Sequence, residues 1–266
     1  MRTVVSLFKR ILNFPRETLA RLRDKRRARR YTLGPGFELE ASVNLIGSDS
    51  LVRIRQAAGS GCRWGGRVVD LSASGLRVML PAAAITVRGE VTLVTLTISR
   101  HQLTVPCEVA HFRVHNHHSI AGLKLQFGDD EAQRAYLQLV EVAATGATLE
   151  PARLRVKPAV KGLLHEGYRS DNGVELHAWR AKKGATLQAF EFLFPGYCVR
   201  GETGRPGLEI FAPGPGGAGG TAWAAPDHAL CPGAHGEVRQ YFRWVALNTG
   251  PAVPADLRAL LTRCAS

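Results

Sequence analysis

The chain has 266 residues, 35 of them Lys or Arg and 22 Asp or Glu, for a formal charge of +13, and 45% of its residues are apolar. That length and apolar share suit one large or two ordinary folded domains and exclude global disorder. No apolar run approaches the ~18 residues that cross a bilayer. The five cysteines, Cys62, Cys107, Cys198, Cys231 and Cys264, form no CxxC pair, which argues against a zinc ribbon, a thioredoxin-like motif or a disulfide scaffold and favours a reducing cytoplasm.

The charge is unevenly placed. Residues 1–30 hold 11 Lys or Arg against Glu17 and Asp24, a net +9, while the other 236 residues carry only +4. The N-terminal segment is therefore the basic part, on a nearly balanced body, and an anionic partner near the N-terminus is expected. Within 1–23, Val4, Leu7, Phe8, Ile11 and Leu12 recur at helical spacing, with Leu19 and Leu22 continuing the stripe beyond Pro15. The stripe is expected to dock on the protein's own core or on a partner. A membrane-surface helix over 1–22, placing a cytoplasmic protein at the periphery of the inner membrane, is the other reading. Lys9 and Arg10 cut the apolar run too short for a signal peptide.

After the reversal at Gly34-Pro35-Gly36 the pattern changes to period two. Phe37 to Leu45, Leu51 to Arg55, Arg67 to Leu71, Leu76 to Leu80, Val91 to Ser99, Leu103 to Phe112 and Ser119 to Phe127 read as short strands with no helix between them. Such a series predicts an antiparallel barrel or sandwich. Asp129 or Asp130 then caps a helix whose buried face is Ala132, Ala135, Tyr136, Leu139 and Val142. The helix fades at Ala144 to Gly146, and Glu150-Pro151 begins a linker. In the remainder, Val174–Trp179, Leu187–Phe194, Tyr197–Val199, Leu208–Phe211 and Val238–Leu247 read as strands, 213–220 as a flexible Gly/Pro loop, and Pro254–Leu261 as a closing helix.

Two motifs carry chemistry together. Arg26 and Arg30 are spaced RxxxR, and Asp70, Ser72 and Gly75 form D-x-S-x-x-G between two apolar strands. Arginine offers a planar fork for phosphate oxygens or the guanine Hoogsteen edge, and a flat face that stacks on purines. Asp70 can accept from guanine N–H groups, Ser72 can donate to a phosphate, and Gly75 permits close backbone approach or a positive φ. Read alone, an arginine run is a solvated face or a nucleic-acid arm, and D-x-S-x-x-G is a turn with local hydrogen bonds.

In this order, with the strand Ile120–Phe127 closing the set, the motifs resemble the PilZ family, bacterial receptors of cyclic di-GMP, over about residues 24–146. The resemblance implies a six-stranded antiparallel β-barrel whose arginine arm folds over the ligand, with a C-terminal helix. It implies a non-enzymatic role in second-messenger signalling, such as biofilm or motility regulation. By motif match Arg26 and Arg30 take guanines and phosphates, Asp70 and Ser72 bond the ligand and Gly75 shapes the turn, with Arg27 and Arg29 as supplements and Arg113 as a further candidate near the barrel's end. The segment from Gly47 to Gly66 reads as an insertion. Residues 151–266 resemble no named family and are expected to form a second β-rich (α+β) domain for output or partner binding. The alternative function is nucleic-acid binding through the basic arm. Nucleic acid is not the expected partner, because Asp70 is unfavourable beside a polyanion unless it reads a base.

The cluster His111, His115, His117 and His118 reads as a polar hairpin turn in preference to a metal site. No GxSxG, HExxH, Walker loop or GxGxxG before a helix is present, so neither a catalytic set nor a cofactor is expected.

Overall fold

The computed structural model describes residues 7–8, 12, 29–47, 61–154, 162–183, 185–194, 196–205, 207–211 and 235–266. The chain divides into two compact units. One includes Phe37–Val140; the other includes Gly34–Gly36 and Glu141–Ser266.

In the first unit, β1 (Tyr31–Thr32), β2 (Glu40–Leu45), β3 (Cys62–Ser72), β4 (Gly75–Pro81), β5 (Val91–Ile98), β6 (His101–Val114) and β7 (His118–Leu125) form one sheet in the order β1-β3-β2-β5-β6-β7-β4. A further pairing of β3 with β4 closes six of these strands into an antiparallel barrel. Alternation explains the wall. Leu76, Val78 and Leu80 of β4 are buried, as are Ala121, Leu123 and Leu125 of β7, while Arg77, Met79 and Lys124 between them are not. β3 is long enough to serve two partners along one edge. Residues 62–67 pair β2, and beyond the end of β2 the arm residues Tyr31 and Thr32 pair Leu71 and Asp70.

Helix α1 (Asp130–Ala147) comes after the barrel, with Asp129 Oδ1 accepting the Ala132 N–H at 2.6 Å as the cap. Of the N-terminal stripe, Leu7, Phe8 and Leu12 are described, and all three are buried. Gln138 of α1 clasps the segment: its Oε1 accepts the Leu7 and Phe8 N–H groups at 2.9 and 3.0 Å, and its Nε2 donates to the Phe8 carbonyl at 2.8 Å.

The second unit is a six-stranded antiparallel meander, β13-β12-β11-β10-β9-β8, formed by β8 (Glu150–Pro151), β9 (Leu163–Arg169), β10 (Glu175–Ala181), β11 (Leu187–Phe194), β12 (Tyr197–Glu202) and β13 (Glu209–Phe211). Helices α2 (His235–Leu247) and α3 (Ala255–Ala265) complete it. Phe190 and Phe192 pack on Phe242, and Phe194 on Tyr241, giving this unit its aromatic core.

Three expectations are corrected. Val238–Leu247 is helix α2: Val238, Tyr241, Phe242 and Val245 repeat at three- and four-residue spacing and bury one face, so periodicity prevails over their β-prone composition. Glu150-Pro151 is an edge strand on β9, not the start of a linker. β9 was not expected, because Leu163 to Arg169 holds no β-branched residue. The expected strand at 51–55, the loop at 213–220 and Cys231 lie outside the described residues. No described helix is long and apolar enough to cross a membrane.

Candidate functional site on the outer barrel wall

The site is built by two β-bulges. The β3–β4 register shifts between Val68 and Asp70, and the β6–β7 register shifts between Val109 and His111. Each bulge adds one residue to its strand, Val69 or Ala110, and so reverses the facing of the residues beyond it. Without the first, Asp70 would point into the barrel; with it, Asp70 lies opposite Arg77 on the outer wall. Without the second, His111 would point inward; with it, His111 lies opposite Gly122. The pairings Asp70–Arg77, Arg77–Gly122 and Gly122–His111 form one continuous cross-strand row. Two rows flank it on the same wall: Arg67–Met79–Ile120–Arg113, and Ser72–Gly75–Lys124–Glu108.

The centre of the row is an ion cluster. Arg30 Nη1 donates to Asp70 Oδ1 at 2.6 Å, and Arg77 donates from Nε to Oδ2, its Nη2 also pairing with that oxygen. Asp70 is fully buried, whereas the Arg30 and Arg77 side chains are 40% and 42% exposed. A buried carboxylate needs such partners, because desolvation without pairing costs several kcal/mol. The cluster nets one positive charge, carried on two guanidinium groups that are partly in solvent. It therefore favours an anion although it contains an aspartate.

The arm reaches this point along β1. The Leu33 N–H donates to the Val69 carbonyl at 3.0 Å, so the bulged residue also anchors the arm. The Arg29 guanidinium lies 5.6 Å from the Tyr31 ring centroid, a cation–π distance. Arg26 and Arg27 lie outside the described residues.

The turn is held from below. Ser72 is buried, and its hydroxyl donates to the Gly75 carbonyl at 3.1 Å. Tyr136 of α1, fully buried, directs its hydroxyl at the Ser72 and Gly75 carbonyls, 2.9 Å from each. Burial raises the Tyr136 phenol pKa far above its ordinary value. Gly75 is required by close approach, since a Cβ there would collide with the Leu123 carbonyl oxygen on β7, and its φ is not positive. Arg113 stands exposed on the same wall, one row from Arg77.

Arg77 is the member of the ion cluster that the sequence motifs do not include. The hairpin offers a signal for it: Asp70 and Arg77 lie symmetrically about the 72–75 turn, so register alone pairs them. The histidine cluster separates into two parts. His115 and His118 stack across a tight turn, their centroids 4.8 Å apart, while His111 belongs to the outer wall. Among the described residues no group of three His, Cys, Asp or Glu side chains could hold a metal ion.

The outer wall of the barrel thus carries a guanidinium–carboxylate cluster with a net positive charge, an arrangement suited to an anion. Residues 24–141 match the family model of the PilZ domain. Among solved structures, the chain is similar to the Borreliella burgdorferi PlzA protein, crystallised in complex with c-di-GMP, at 10% identity and a TM-score of 0.34, covering 85% of this chain and 98% of that one. No curated protein sequence matches the chain.

Proposed function

We propose that the chain is a non-enzymatic receptor of cyclic di-GMP that binds the dinucleotide on the outer barrel wall. The observation that carries this reading is the Arg30–Asp70–Arg77 cluster, set beside the D-x-S-x-x-G turn of a PilZ domain. Two half-exposed guanidinium groups suit the phosphodiesters and guanine edges of such a ligand. Asp70 acts mainly through them, because both its oxygens are engaged by arginine. Arg26, Arg27 and Arg29 add charge from the arm, and Arg113 and Lys124 supply cations on the flanking rows. Ser72 and Gly75 keep the turn in shape for the ligand.

Signal transfer is rooted in how the chain is laid out. Gly34–Gly36, immediately after the arm, belong to the second unit, where the Gly34 N–H donates to Asn248 Oδ1 at 2.7 Å. A ligand that engages Arg30 on the outer wall biases the conformation of the next residues along the chain, and with them the second unit or its protein partner.

The test is a binding titration of the full chain by fluorescence anisotropy with labelled cyclic di-GMP across a salt series. Arg30→Ala removes one charge-assisted contact and weakens binding about 10- to 150-fold, from roughly 1.5–3 kcal/mol. If Arg30→Ala has unchanged affinity, the reading fails. If the preferred ligand is instead duplex or single-stranded nucleic acid, with log affinity falling steeply against log salt and indifferent to Asp70, the basic arm is a nucleic-acid clamp.

A further inference from the structure

The second bulge contributes no residue to the ion cluster. Its effect is to turn one imidazole outward. His111 then lays its ring across the Cα of Gly122, so closely that a Cβ at position 122 would fall among Cε1, Nε2 and Nδ1. Gly122 is therefore a cradle: the absent side chain gives the ring a flat seat. His111 stays exposed, and it lies in the same row as Arg77, which is partly exposed, with only Gly122 between them. Beyond it on the next row stand Ile120 and Arg113. Two separate bulges in two separate hairpins thus deliver Asp70 and His111 to one row of one wall. Bulges that re-aim a side chain recur next to functional sites.

We infer that His111, seated on Gly122, is a base-stacking platform that extends the binding face from the Arg30–Asp70–Arg77 cluster toward Arg113, so that one guanine of the dinucleotide lies on the imidazole while the phosphodiester engages Arg77. This rests on the cyclic di-GMP reading above and adds to it a named contact outside the arginine arm and the D-x-S-x-x-G turn. The ring offers a planar π-face at fixed height, which every purine can use. Arg77 is already held in place by Asp70, so the phosphate contact and the stacking contact are both organised before the ligand arrives.

The experiment is calorimetric titration of cyclic di-GMP into the full chain and into His111→Ala, His111→Phe, Gly122→Ala and Arg30→Ala, each checked for an unchanged circular dichroism spectrum. His111→Ala is expected to weaken binding about 5- to 150-fold, the range of one base–aromatic stack. His111→Phe keeps a flat ring and stays within a few-fold of the parent. Gly122→Ala unseats the ring and matches the loss in His111→Ala, and the double variant is no worse than either single one. Should Gly122→Ala fail to fold, the contrast between His111→Ala and His111→Phe carries the test alone. Binding that falls in Arg30→Ala but is unaltered in His111→Ala overturns this inference and leaves the receptor reading standing. Equal losses in His111→Ala and His111→Phe overturn the stacking role. No binding by the parent chain overturns the receptor reading, and this inference with it.

Discussion

Asp70→Asn separates two accounts of the aspartate in the D-x-S-x-x-G turn. If Asp70 reads a guanine directly, its removal should cost the same whether or not Arg30 is present. If it holds Arg30 and Arg77 in place, its effect must pass through them. Arg30 contacts Asp70 at 2.6 Å and Arg77 engages the second oxygen, while both arginine side chains are about two-fifths exposed. Each contact then falls at the lower end of charge-assisted bonds, about 1.5 kcal/mol. Losing the charge should weaken cyclic di-GMP binding about 10-fold or more and lower unfolding stability by about 1–2 kcal/mol. The assay is a double-mutant cycle by titration calorimetry on the parent, Asp70→Asn, Arg30→Ala and the pair, with urea melts of each. The account predicts a coupling energy near 1 kcal/mol or more between the two positions. Strictly additive losses in binding would refute it and return Asp70 to direct base recognition.

Three further outcomes are expected from other parts of the molecule. Tyr136→Phe removes the hydroxyl that serves the buried Ser72 and Gly75 carbonyls and should cost about 1–2 kcal/mol in urea melts; because the Tyr136 phenol is held far above its ordinary range, an alkaline absorbance titration through that range should show the same number of ionising phenols in the variant as in the parent. His177, 2% exposed, has its pKa pushed down to about 4 by burial first and by neighbouring His165 second, against the raising effect of Glu175. The unfolded chain therefore binds more protons than the folded one between about pH 4 and 6.5, so stability is full above 6.5 and falls as pH drops: about 2 kcal/mol less at pH 5 than at pH 7 by chemical denaturation, a difference that His177→Asn should largely abolish. Asn248→Ala removes both the acceptor for the Gly34 N–H and the donor to the Ala143 carbonyl, and should lower the unfolding free energy by about 2 kcal/mol.

The barrel was legible because its strands alternate cleanly. Val91 to Ile98 and Leu76 to Leu80 show period two with turn residues at both ends, and nothing helical competes with them. The turn motif was legible as a string of residues, yet its chemistry was not. Which way Asp70 faces depends on one extra residue, Val69, in a run that reads as an uninterrupted strand. The same holds for Ala110 before His111, whose imidazole belongs to the wall although the sequence groups it with a turn that begins four residues later. A bulge leaves no composition signal, only a phase change that the partner strand reveals. Arg77 stands outside both motifs because its partner is set by hairpin register and not by a motif spacing. In the second unit, the Val, Tyr, Phe and Trp of α2 favour strands by composition, while the three- and four-residue spacing of Val238, Tyr241, Phe242 and Val245, which fits a helix, carries the deciding information. Gly34–Gly36 read as a simple reversal, and their hydrogen bond to a residue more than two hundred positions away could not be read from local pattern.

The central claim is tested most directly by isothermal titration of cyclic di-GMP into the full chain at physiological salt, beside GMP and GTP as controls. The account predicts saturable heat at micromolar ligand or tighter, a stoichiometry of one or two ligands per chain, and no comparable binding of the mononucleotides. Absence of heat at tens of micromolar, or equal binding of the mononucleotides, would contradict it.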